Sequence, residues 1–144
     1  MEDKVEQLLN GQCYKKYQEL GFAEVMEKYH LTLLEVRVLL FFDAHGSSNT
    51  ARDLVEIYHF TKSNVSKSVD NLLGRGFLKK QYDSQDRRYI HLMIQPEAYP
   101  VLELARKCQR EMYKEMFRGI SWRDIQIVSD VAQKIHQNIS DAIE

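Results

Sequence analysis

Apolar positions recur along most of this chain at helical spacing, and they change to a two-residue alternation only once. Val5, Leu8, Leu9, Cys13, Tyr17 and Leu20 predict a helix over residues 4–20, with Asn10-Gly11 placed to break or delay it. Thr32-Leu33-Leu34-Glu35 has the form of a capping box, and the near-continuous apolar run from Val36 to Phe42 predicts a helix buried on most sides, stopped at Gly46. Thr50-Ala51-Arg52-Asp53 is a second cap signal, ahead of a short helix carrying Leu54, Val55 and Ile57, with Tyr58-His59-Phe60 as a turn. A helix from Lys62 to Arg75 follows, with Gly76 as its left-handed stop. Phe77–Tyr82 and Tyr89–Ile94 read as two strands, because Ile90, Leu92 and Ile94 alternate with Tyr89, His91 and Met93. Pro96 closes this hairpin and can start the next helix, where Ala98, Val101, Ala105, Cys108, Met112 and Met116 share a face. Gly119 breaks it, Ser121 to Asp124 cap a last helix, and Ile125, Val128, Ala132, Ile135, Ile139 and Ala142 form its long apolar stripe.

Short helix, turn, polar-faced helix and hairpin, in that order, describe a winged helix-turn-helix, which lays one helix in a DNA major groove. The fold class expected is mainly α with a small β-hairpin wing. In the second helix of the pair Val65, Val69 and Leu72 share a narrow arc, so Ser63, Ser66, Lys67, Asp70 and Gly74 face away from the core. Asn64 and Lys67 suit base edges, and Thr61 and Lys62 suit phosphates at the helix start. A plain solvated face would look similar, but such a helix usually carries acids in its first turn, and this one carries none. At the hairpin tip, Asp86 stands two residues before Arg88, a spacing at which a carboxylate can hold the guanidinium fork and aim it at a minor groove, leaving Arg87 for phosphates. A lone Asp-x-Arg is otherwise a surface ion pair of little worth.

Composition sharpens this reading. The 144 residues have a net charge of −1, with 44% hydrophobic and 28% charged residues, which suits a folded domain. The charge is unevenly spread. Residues 61–88 hold seven Lys/Arg against three Asp/Glu, a balance of +4, whereas residues 1–60 hold six against ten and residues 89–144 seven against eight. Screening makes the local balance decide phosphate attraction. No apolar run approaches a membrane span and the first residues do not resemble a signal peptide, so a cytoplasmic location is expected.

Residues 32–94 resemble bacterial MarR-type transcriptional regulators. The resemblance rests on Asp86-Arg87-Arg88 followed by Ile90 and Leu92, on Thr61-Lys62-Ser63-Asn64-Val65-Ser66, and on Leu72, Gly76 and Phe77-Leu78. It implies a homodimer built from an N-terminal region (1–31) and C-terminal helices (97–144), flanking a DNA-binding domain (32–96) that meets a palindromic operator. It further implies that Ser63, Asn64, Ser66 and Lys67 read the major groove while Arg88, supported by Asp86, enters the minor groove. The chain departs from the family where a Leu-Thr pair and a Gly usually follow the second strand: it has Ile94-Gln95-Pro96-Glu97-Ala98.

Members of that family, most often repressors, commonly answer to a small molecule, an oxidant or a metal. Tyr14, Tyr17, Tyr29, His30 and Arg37 are candidates to line an effector pocket, although packing and surface roles explain each alone. Cys13 occupies the helix that carries the sensing cysteine of peroxide-responsive relatives, but no Lys or Arg immediately precedes it, and a buried structural thiol is the expectation for it. Cys13 and Cys108 form no CxxC pair and the five histidines no i,i+4 pair, so neither a metal nor a cofactor is implied. Nucleophile elbow, P-loop and dinucleotide fingerprints are absent, which argues against an enzyme. Two alternatives stay open: a winged helix that binds protein instead of DNA, and a redox regulator acting through Cys13.

Overall fold

The computed structural model describes residues 11–46, 49–58 and 61–143. Among these residues the order is α1 (Gln12–Gly21), α2 (Ala23–Tyr29), α3 (Leu33–Ala44), α4 (Ala51–Tyr58), α5 (Lys62–Gly74), β1 (Leu78–Tyr82), β2 (Ile90–Ile94), a 3-10 turn (Pro96–Ala98), α6 (Tyr99–Met116) and α7 (Trp122–Ile143). The chain divides into two compact units between Met112 and Tyr113.

Helix starts fall where the hydroxyl caps stand. Thr32 Oγ1 accepts the Glu35 N–H (3.1 Å) while Glu35 Oε2 accepts the Thr32 N–H (3.0 Å), a complete capping box. Thr50 and Asp53 repeat it for α4, with the Asp53 N–H on Thr50 Oγ1 (3.2 Å) and the Thr50 N–H on Asp53 Oδ2 (2.9 Å). Ser121 caps α7 by accepting the Asp124 N–H (3.1 Å). Gly76 and Gly119 take positive φ (73° and 74°), the left-handed stops expected of them. α4 runs through Tyr58, which belongs to the helix and not to the expected turn; His59 and Phe60 lie outside the described residues.

The core of the first unit gathers Val36, Val38, Leu39, Phe41 and Phe42 of α3 around Leu54, Val65, Val69 and Leu72, closed by Leu78 and Leu92 of the hairpin and by Val101, Ala105 and Cys108 of α6. Burial of α3 on most sides follows from its near-continuous apolar run. On α6 the predicted face holds: Ala98, Val101, Ala105, Cys108 and Met112 are buried and Met116 half-buried. Desolvation raises the Cys108 thiol pKa, as expected of an inert core cysteine.

Gly11 sits in left-handed conformation (φ 69°) ahead of α1, in keeping with the break expected at Asn10-Gly11; the part of the expected 4–20 helix before Gly11 lies outside the described residues. The burial expected along this helix is corrected. Within α1, Cys13 and Leu20 are exposed and Gln18 is buried instead, so Cys13 is not a buried structural thiol. The reason is a close approach at Gly21: a Cβ there would fall 2.2 Å from Met112 Sδ, so the helix meets α6 through its Tyr17–Gln18–Gly21 side, and the Tyr17 hydroxyl donates to the Met112 carbonyl (3.0 Å).

In the second unit no residue of α7 is buried in the single chain. Of its stripe, Ile125 and Ile135 are half-buried, while Val128, Ala132, Ile139 and Ala142 are exposed. The same helix exposes Trp122, Ile127, Val131 and Ile143, so the stripe does not serve as a core within the chain.

Candidate nucleic-acid interface

α5 is the candidate recognition helix. Val65, Ser68, Val69 and Leu72 are buried, and Thr61, Lys62, Ser63, Asn64, Ser66, Lys67, Asp70 and Gly74 are exposed. The sequence missed only Ser68, whose small side chain can be buried on the flank of the apolar arc. Thr61 precedes the helix in extended conformation but, unlike Thr32, Thr50 and Ser121, makes no side-chain cap hydrogen bond, and the first turn carries no acid. The dipole and N–H groups at this end therefore meet no anion of the helix's own, an arrangement that suits a phosphate oxygen.

Two clamps fix α5 from behind. Asn71 Nδ2 donates to Glu35 Oε1 (3.0 Å), so the carboxylate that completes the α3 cap also holds the recognition helix. Arg75, just past the helix end, donates to the carbonyls of Tyr29 and His30 (3.0 Å to the latter), and its guanidinium lies 4.8 Å from the Phe77 ring centroid. His30 takes φ 52° there, a left-handed value that histidine tolerates better than branched residues. These contacts span 36 to 46 residues, and no local pattern announces them.

β1 and β2 pair antiparallel, Lys80 facing Leu92 and Gln81 facing His91. One face therefore turns Leu78, Lys80, Ile90 and Leu92 toward α5. A cavity of about 580 Å³ lies between them, lined by buried or half-buried Val55, Val65 and Leu92 and by exposed Lys62, Ser66 and Lys80. The tip closes through Asp83, whose Oδ1 accepts the N–H groups of Gln85 (2.8 Å) and Asp86 (3.0 Å), and through the Tyr89 N–H on the Asp86 carbonyl (3.1 Å).

Beyond that turn the expected pair is formed. Arg88 Nε lies 3.1 and 3.2 Å from the two Asp86 oxygens, Arg88 Nη2 donates to Asp86 Oδ2 (2.8 Å), and the Arg88 N–H adds a bond to Oδ1 (3.0 Å). These bonds lower the Asp86 carboxyl pKa and raise that of the guanidinium. The Arg88 side chain remains 88% exposed, so the clamp orients it without covering it. Arg87 is also exposed.

A second network at the wing was not foreseen. His91 Nε2 meets Asp83 Oδ2 (2.9 Å), His91 Nδ1 meets Asn49 Oδ1, and the Asn49 carbonyl accepts the Leu92 N–H (2.7 Å). The bond from His91 is the largest of the causes that lower the Asp83 carboxyl pKa to about 2. Alternation along β2 placed His91 on the outer face, but the hairpin register and a loop 42 residues upstream decide what it touches.

The effector candidates behave differently. Tyr17 packs against α6 through its hydroxyl, Tyr29 is half-buried with Lys28 Nζ 5.5 Å from its ring centroid, Arg37 is half-buried, and Tyr14 and His30 are exposed. None of the five lines the cavity beside α5 or the one of about 360 Å³ beside His91. Among the described residues, no three His, Cys, Asp or Glu side chains are placed to hold a metal ion, and no helix is long and apolar enough to cross a membrane.

Residues 30–88 match the MarR family model. No curated protein matches the chain in sequence. Solved structures match it in fold: a MarR family transcriptional regulator from Silicibacter pomeroyi (20% identity, TM-score 0.75, covering 91% of this chain and 87% of that one), the S. aureus MepR–DNA complex (15%, 0.74, 96% and 96%), and Bordetella bronchiseptica BpsR, whose DNA binding is regulated by 6-hydroxynicotinic acid (18%, 0.69, 92% and 92%). The chain has the fold seen in solved MarR family transcriptional regulators, and its residues 30–88 match that family's model.

Proposed function

We propose that the protein is a homodimeric, sequence-specific DNA-binding transcription regulator, a repressor, that reads a palindromic operator and answers to a small-molecule effector. The observation that carries this reading is the Asp86-held, solvent-exposed Arg88 at the tip of a hairpin beside an acid-free recognition helix. Ser63, Asn64, Ser66 and Lys67 would meet base edges in the major groove, Thr61, Lys62 and Arg87 phosphates, and Arg88 the minor groove. Residues 32–96 would be the DNA-binding part, with 1–31 and 97–144 supplying the dimer contacts. The exposed stripe of α7 supports a dimer, since a soluble chain rarely leaves so continuous an apolar face uncovered. A twofold dimer would set the two recognition helices about one DNA turn apart, roughly 34–36 Å. The DNA complex of MepR and the regulation of BpsR by an aromatic acid support the DNA and effector parts.

Selection of bound sequences from a random duplex pool, followed by a salt titration on the winner, tests the reading. A palindromic winner is expected, with log affinity falling by about 0.9 per phosphate contact per decade of salt. Arg88→Ala should weaken binding to it by about tenfold or more with an unchanged circular dichroism spectrum. No enrichment even at low salt would overturn direct DNA reading and favour a winged helix that binds protein.

A further inference from the structure

We propose that His91 is a positioning residue for the wing: as an imidazolium it ties the Asp83 end of the hairpin to Asn49, the residue just ahead of the α4 cap, so that DNA affinity rises as the ring gains its second proton. This rests on the DNA-binding reading above and adds a regulatory property to the same surface.

The argument begins with donors and acceptors. Asp83 Oδ2 belongs to a carboxylate that can only accept, and it lies 2.9 Å from Nε2. The group at Nδ1 is the Asn49 amide oxygen, because Asn49 Nδ2 donates to Met93 Sδ (3.4 Å). Two acceptors flank one ring, and only the imidazolium can donate to both. The neutral ring keeps its proton on Nε2, facing Asp83, and takes up the second from solvent at Nδ1. Without that proton Nδ1 opposes the Asn49 oxygen. Turning the Asn49 amide over would restore a bond but sets its oxygen against a thioether.

The surroundings leave Asp83 as the charge that decides. Across the sheet His91 faces neutral Gln81, and Lys79, on the same side of β1, is paired with Met93. Tyr82 and Ser84 line the cavity beside His91 with Gly46. Asp86 is engaged by Arg88, and His45 turns to its own helix, with Nδ1 3.1 Å from the Phe41 carbonyl and its ring stacked on Phe41. Asp83 carries the turn from which Asp86 and Arg88 project, and the Asn49 carbonyl holds the Leu92 N–H, so the ring spans the wing tip and the segment leading into the helix pair. Histidine is the side chain whose charge ordinarily changes between about pH 5 and 8.

The test is the affinity of the dimer for its selected operator at fixed ionic strength from about pH 5.5 to 8, for wild type, His91→Gln and Asp83→Asn. Alongside it, nitrogen-15 NMR follows the His91 ring and the Asn49 side-chain amide in DNA-free protein. Wild type should bind about three- to tenfold more tightly at the acid end, the size of one net hydrogen bond. His91→Gln should remove that difference, leaving only the slope due to the other histidines, and Asp83→Asn should reduce it. The Asn49 amide should shift with the ring's titration. Parallel profiles for wild type and His91→Gln, or an Asn49 amide that ignores the ring, would overturn the proposal. Absence of binding by wild type at every pH would overturn the DNA reading instead, and the NMR signals distinguish the two because they are recorded without DNA.

Discussion

Glu35 is a buried carboxylate (5% exposed) with two partners on different elements, and its replacement separates their worth. Glu35→Ala removes the Oε2 bond to the Thr32 N–H and the Oε1 bond to Asn71 Nδ2. Losing half of the capping box costs about 1 kcal/mol, and losing a charged acceptor for Asn71 costs about 1–2 kcal/mol. Thr32 and Asn71 are exposed enough to find water, which keeps the total near about 2–3 kcal/mol. Glu35→Gln should cost less than about 1 kcal/mol, because its carbonyl can accept from Thr32 and its amide can donate to Asn71 once that side chain turns over. Urea unfolding followed by circular dichroism, at one chain concentration because dimerisation would shift the midpoint, gives both values. Asn71→Ala in the wild-type and Glu35→Ala backgrounds completes a double-mutant cycle, with about 1 kcal/mol of coupling expected. If Glu35→Gln proves as harmful as Glu35→Ala, or the cycle shows no coupling, the two-bond account of Glu35 is wrong.

Two further outcomes follow. Val128→Asp puts a charge in the α7 stripe at a position exposed in the single chain, so it should leave the fold unharmed yet yield monomers in sedimentation, whereas wild type should sediment as a dimer; equal masses for the two would refute the dimer surface. Asp83 has a folded pKa near 2 against 3.8 ordinarily, so its stabilisation of the hairpin is complete above about pH 4 and is lost as pH falls toward 2; protection of the Gln85 and Asp86 amides, taken relative to the intrinsic exchange rate at each pH, should fall across that window, and constant protection through it would refute the Asx turn.

What could be read in the sequence follows from the range of the interactions involved. Caps at Thr32, Thr50 and Ser121 join residues three apart, and the inward faces of α5 and α6 rest on a period of 3.6, so both are written locally. The Asp86–Arg88 clamp spans two residues and was equally readable. By contrast, α1 has a polar residue inside and two apolar ones outside, because Gly21 lets it approach Met112, a contact decided 91 residues away. Asn49, His91 and Arg75 look unremarkable until the register of the hairpin and the path of the chain between α2 and α3 are known. Whether the five effector candidates share a ligand depends on side chains meeting from separate elements, which periodicity does not encode.

The Arg75 clamp has a consequence for how such a protein can diversify. Its guanidinium grips main-chain oxygens of Tyr29 and His30, not their side chains. Any residue at position 29, and any that accepts a left-handed turn at position 30, would offer the same two oxygens. Mutation could therefore alter the side chains displayed at this corner while the end of α5 keeps its anchor. Chemical identity there is free to drift on a fixed mechanical joint.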